Sequence, residues 1–210
     1  APHIDPQRGA ASYARAYAAV WGARPRRVIL LGVNHAGSRA PFVPTTKDYA
    51  TPLGTLPTDA QFVRHLAEGC AWDPLAEEDL HRWEHSLEFQ VLFLQHALSE
   101  GTGAPVEALP RLVPILCSFP WQIFAEHEGL DVVRAQVDRF LERLRELAAG
   151  DPEGLLVIAG VDLAHVGRRF GDPRAPNEPE RAELRRRDLA TLERIARADR
   201  GGFVEEMVSE

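Results

Sequence analysis

The chain has 210 residues, 45% of them hydrophobic, which suits one α/β domain with a sizeable core. A formal net charge of −7 argues against a general nucleic-acid binder, and no apolar run approaches the ~20 residues that span a bilayer. Two cysteines without a CxxC pair argue against a disulfide framework and point to a reducing cytoplasm.

In chain order, Gly9 to Gly22 reads as a helix, Ala- and Tyr-rich with few breakers, closed by Arg24-Pro25. Arg27 to Gly32 is a buried strand. Val33 to Pro57 is rich in Pro, Gly and Thr, has no helical period, and reads as a long loop with short strands. Thr58 looks like the N-cap of a helix from Asp59 to Glu68. Trp83 to Leu98 is predicted as a second helix, with Leu87, Val91, Leu94 and Leu98 on one stripe. Arg111 to Cys117 is a strand, Asp131 to Leu147 an amphipathic helix, and Gly154 to Gly160 the most apolar strand of all. A proline-rich polar loop leads to a charged helix over Glu180 to Ala198, and a short helix over Gly202 to Val208 ends the chain. The basic run Arg185-Arg186-Arg187 lies among acids and reads as a solvated face. Strands alternating with helices predict a sheet covered on both faces, in a single domain over 1–210. The chain opens without Met, in the middle of a motif, and both natural termini are expected to lie outside it.

Three histidines fall where such sheets keep their chemistry, outside the carboxyl ends of strands. His35 follows Gly32-Val33-Asn34 and precedes Gly37, a turn that presents a polar side chain at the sheet edge. His165 closes Asp162-Leu163-Ala164-His165, just after the most apolar strand. Asp162 reads equally as a helix N-cap and as a carboxylate that fixes the imidazole tautomer. His3 lies between Pro2 and Asp5-Pro6, which hold the backbone extended; alone it suits a ligand or a loop histidine with one hydrogen bond. The run Glu84-His85-Ser86-Leu87-Glu88 opens an apolar helix with polar residues. Its acids suit the helix dipole, yet burial of the following turns asks for specific partners, which makes Glu84, His85 and Glu88 candidates to support the histidine cluster. His65, His81, His96 and His127 read as structural or surface residues, and Cys70 and Cys117 as packing residues. There is no Walker loop, GxGxxG or Gly-x-Ser-x-Gly elbow to support nucleotide binding or serine hydrolysis.

At these residues the chain resembles the Memo family, which includes the prokaryotic AmmeMemoRadiSam system protein B. The matching pieces are Ala1-Pro2-His3 with Tyr13 downstream, Leu31-Gly32-Val33-Asn34-His35, Thr51-Pro52-Leu53-Gly54, Glu84-His85-Ser86-Leu87-Glu88, Val113-Pro114-Ile115 and Asp162-Leu163-Ala164-His165. They cover most of the chain. The resemblance implies the fold of the class III extradiol dioxygenases, an α/β domain around a mixed, largely parallel central sheet flanked by helices. In those enzymes two histidines and a glutamate hold non-haem Fe(II), and another histidine serves as acid/base. By resemblance His3 and His35 match the metal ligands and His165, with Asp162, the catalytic position. Asn34, Glu84, His85 and Glu88 then bind ligand or support the metal ligands. Memo proteins place a cysteine where the glutamate stands; it is expected beyond Glu210, with Asp162 or His85 as other third donors. A second departure is Ala36, where the animal proteins have another histidine. The expected cofactor is iron or copper, and the expected ligand a small or anionic molecule in the cleft. The resemblance also implies AmmeMemoRadiSam partner proteins, or, in the adaptor reading of animal Memo proteins, phosphopeptides bound without turnover.

Overall fold

In the computed structural model, residues 1–119, 123, 129–151 and 154–209 are described. The sheet is built from four strands in the order β2-β5-β1-β6: β1 (Arg27–Val33), β2 (Phe42–Pro44), β5 (Arg111–Cys117) and β6 (Leu155–Ala159). β1 runs parallel to both β5 and β6, with Ile29 opposite Val113 and Val157, and β2 adds an antiparallel edge on β5. The sheet is thus mixed and largely parallel. A hairpin of β3 (Tyr49–Thr51) and β4 (Gly54–Leu56) occupies the long loop after β1.

Parallel neighbours need crossovers, and helices supply them. These are α2 (Ala60–Glu68) and α3 (Glu88–Thr102) between β1 and β5, and α4 (Asp131–Ala149) between β5 and β6. Side chains alternate across a strand. Val28, Leu30, Leu112 and Leu116 join a core with Tyr13 and Tyr17 of α1 (Pro6–Ala18) and with Val91, Leu94 and Leu98 of α3. Ile29, Val113 and Ile115, also buried, serve the other face, where α2 packs on β5 and α4 and Phe42 stacks on Phe140 at 4.2 Å. The chain divides into two compact units. The first comprises Ala1–Phe119 and Asp131–Val161; the second comprises Pro120–Leu130 and Asp162–Glu210. Within the second, α5 (Glu178–Ala196) starts in a capping box between Asn177 and Glu180, two residues before its predicted start, and packs on α6 (Arg200–Ser209).

Three local expectations need correction. Asp59, not Thr58, caps α2: its carboxylate accepts from the Phe62 N–H at 3.0 Å, while the Thr58 hydroxyl donates to the Lys47 carbonyl. α3 is assigned from Glu88, not Trp83, and its first i→i−4 bond runs from the Phe89 N–H to the His85 carbonyl. The Glu84 carboxylate instead takes the N–H groups of His85 and Ser86 and holds a turn, so Glu84 and Glu88 are not stacked on one helix. β6, expected to be buried, pairs with β1 alone among the described residues and leaves Val157 55% exposed. Apolar composition does not tell an edge strand from a central one.

Candidate metal centre

Three chain segments meet at the carboxyl edge of the parallel strands. The turn after β1 carries His35. The segment around His3 lies along the end of β6, where the Ala1 nitrogen donates to the Ala159 carbonyl at 2.8 Å and the Val161 N–H donates to the Ala1 carbonyl at 2.8 Å. This brings His3 to Gly160. The loop before α3 brings His85, and Ser86 in that loop donates its hydroxyl to the Val33 carbonyl at 2.8 Å. So close an approach needs glycine on the sheet. A Cβ on Gly32 would stand 2.7 Å from Leu87 and Ser86, and one on Gly160 would stand 2.9 Å from the Gln90 amide. Gln90, fully buried on α3, donates to the Pro2 carbonyl at 2.6 Å and accepts from the Tyr17 hydroxyl at 2.7 Å, which pins the peptide that carries His3.

The ring centroids of His3 and His35 are 5.0 Å apart, those of His35 and His85 4.9 Å, and those of His3 and His85 5.8 Å. One nitrogen from each ring lies within 4.8 Å of the other two, so the three could hold a metal ion. Nitrogens bound to one ion at about 2.1 Å stand roughly 3.4 Å apart, so the rings would close slightly on an ion. His35 and His85, each 47% exposed at the side chain, have room to do so around the buried His3.

The tautomers follow from the partners. His3 Nδ1 faces the Gly160 carbonyl at 3.2 Å, and His35 Nδ1 faces both Glu84 oxygens at 3.0 Å. A carbonyl and a carboxylate only accept, so both Nδ1 atoms donate, and each neutral ring then carries its lone pair on Nε2. His85 Nδ1 stands 3.4 Å from Glu84 Oε1. Burial alone would raise the Glu84 carboxyl, but the N–H groups of His35 and Ser86 and the His35 ring outweigh it and hold it below the usual carboxylate range.

The remaining candidates take other places. Asn34 is buried beside His35, and neither its side-chain oxygen nor its nitrogen has a hydrogen-bond partner, a condition that calls for one. Glu88 is exposed on the first turn of α3; after burial, its charge and that of Glu84 raise the Tyr49 hydroxyl. Asp162 and His165 belong to the second unit. There His165 Nδ1 faces the Leu163 carbonyl at 2.9 Å, and Nε2 lies 3.6 Å from Asp162 Oδ2, beyond hydrogen-bond reach. The backbone carbonyl therefore sets this tautomer, where the sequence suggested the aspartate. Burial pushes the Cys117 thiol up to about 12 and the Cys70 thiol up to about 11, so neither is a thiolate at neutral pH. His81 is a structural residue, held between the Tyr49 hydroxyl and the Val43 carbonyl at 2.8 Å each. His127 lies outside the described residues. Gln90 was missed as a determinant of the site; a glutamine among the apolar residues of α3 was its only signal.

These features define an α/β protein with a trihistidine cluster at the carboxyl edge of its parallel strands. The model of the Memo-like protein family matches residues 1–210, and the chain belongs to that family. Among its relatives, a MEMO1 family protein of Aquifex aeolicus is 30% identical over 82% of this chain and 40% of its own length. One of Thermococcus kodakarensis is 31% identical over 99% of this chain and 66% of its own, and one of Thermus thermophilus is 31% identical over 94% and 52%. The chain thus spans about half the length of the curated relatives it matches. Among the described residues no helix is long and apolar enough to cross a membrane.

Proposed function

We propose that this chain is a metal-binding Memo protein in which His3, His35 and His85 hold a first-row transition metal, iron or copper, for redox or dioxygenase-like chemistry. The observation that carries this reading is the convergence of three imidazoles, two of which, His3 and His35, direct Nδ1 to acceptor-only partners. Imidazole nitrogen suits iron, copper and zinc, and is a poor match for calcium or magnesium. A bound iron or copper would supply open coordination positions to a small ligand, and the exposed sides of His35 and His85 leave access for one. Within this reading His3 anchors the ion from the protein interior and His35 and His85 close on it. His165 would handle a proton, a role that rests on the resemblance of the Asp162–His165 segment alone. The buried Glu84 carboxylate favours a cation at this point and weighs against the phosphopeptide reading.

The test is metal analysis and anaerobic Fe(II) and Cu titration of the full chain, beside His3→Ala, His35→Ala and His85→Ala. One metal per chain is expected, lost in each variant. Wild-type protein that takes up no metal would reject the reading.

A further inference from the structure

Among the described residues, Glu84 is the carboxylate that meets both solvent-side histidines of the cluster. Its Oε1 accepts from the His85 N–H at 2.8 Å, the Ser86 N–H at 2.9 Å and His35 Nδ1 at 3.0 Å, and lies 3.4 Å from His85 Nδ1. Its Oε2 accepts from the His35 N–H at 2.9 Å and shares His35 Nδ1. Three backbone N–H groups thus fix the carboxylate before either ring meets it, and it is 7% exposed. His35 and His85 come from segments 50 residues apart, the turn after β1 and the loop before α3, and Oε1 meets both.

We infer that Glu84 is a positioning residue that sets the tautomers of His35 and His85 together, turning the Nε2 atoms of both toward the ion. The inference rests on the metal reading above. A carboxylate behind an imidazole presents the far nitrogen as a lone pair and raises its basicity as a ligand. Here Glu84 does so for His35 through a hydrogen bond and meets the His85 ring at 3.4 Å while holding its backbone N–H, so the second and third ligands are prepared by one carboxylate and His3 separately by the Gly160 carbonyl. In Glu84→Gln the amide NH2 cannot accept from a ring N–H. An NH2 in the place of Oε2 meets the His35 Nδ1–H donor to donor, which favours moving that proton to Nε2, the atom the metal needs.

Two measurements test this at one fixed pH near neutrality. Long-range proton–nitrogen NMR on metal-free protein with ¹⁵N-labelled histidine reads each tautomer directly. Calorimetry with Zn(II), a diamagnetic ion that favours imidazole, reads affinity. Wild type should show Nδ1–H in both rings. Glu84→Gln should move a ring to Nε2–H and weaken Zn(II) about 10- to 100-fold, as loss of an outer partner does, and Glu84→Asp should restore part of the loss. Nε2–H in His35 or His85 of the wild type overturns the inference without any variant. So does a Glu84→Gln protein with unchanged tautomers or unchanged affinity. A wild type with both Nδ1–H tautomers and no Zn(II), iron or copper binding instead overturns the metal reading and leaves the role of Glu84 in the tautomers standing.

Discussion

Glu84 with His35, in the first unit, and Asp162 with His165, in the second, join the same two side-chain chemistries in different ways. The imidazoles are almost equally exposed, 47% and 49%, so the difference lies in the carboxylates. Glu84 is held by three backbone N–H groups and meets Nδ1 at 3.0 Å; Asp162 stands 3.6 Å from Nε2 while a backbone carbonyl takes Nδ1. A carboxylate can direct a histidine only when something directs the carboxylate. In the first pair the carboxylate holds the imidazole, and in the second a backbone carbonyl does.

The sharpest way to break this comparison is to remove an imidazole from each region. His3→Ala should lower metal affinity by on the order of a thousandfold, more than the 10- to 100-fold typical of an outer partner; competition with a chelator reads it. A variant that binds within tenfold of wild type would dissolve the cluster as a site.

Next in size is a pH effect on a third histidine, fixed at both nitrogens. Burial, against the Val43 carbonyl and the charges of Glu78 and Glu84, pushes His81 from 6.5 down to about 4. The unfolded chain takes up this proton before the folded one, so the contribution to stability is complete above pH 6.5 and fades as pH falls toward 4. It amounts to at most about 3 kcal/mol. Urea melts from pH 7 to 4 should show the decline, and His81→Gln should flatten it; parallel curves would count against a neutral His81.

Gly32→Ala comes third. Its methyl would press on the buried Leu87 and on Ser86 at 2.7 Å, and a cost of about 1–3 kcal/mol is expected by chemical denaturation. A neutral outcome would mean that the loop before α3 yields easily. The smallest effect is predicted for His165→Ala: stability within about 0.5 kcal/mol, as for exposed positions, and unchanged metal affinity. A large loss of affinity would show that the two regions act as one site.

Much of this was legible in the sequence. The continuous apolar runs of β1 and β5 declare themselves because both faces of these strands are buried, the α3 stripe because period and burial coincide, and His35 could be placed because it directly follows a strand. His3 was legible as a candidate only through its motif, since nothing local announces that residue 3 lies against residue 160. The start of α3 and the cap of α2 were misplaced for one reason: Glu84 and Thr58 have capping chemistry but spend it on neighbours distant in sequence or on their own turn. The edge position of β6 depends on what pairs with it, which no local pattern records. His85 sat in view as a supporting residue and as a third donor; only the close approach of the α3 loop to Gly32 brings its ring level with the other two.

The bond from His3 to the Gly160 carbonyl closes a loop of 157 residues. During synthesis His3 emerges early and must wait until β6 has been made and has found β1. The cluster therefore forms only after this non-local pairing, which bears the chain-closure entropy before it returns any contact energy. An ion bound there would act as a clasp between the His3 segment and the end of β6, and would stabilise the native state by RT ln(1 + c/Kd), where c is the free ion concentration.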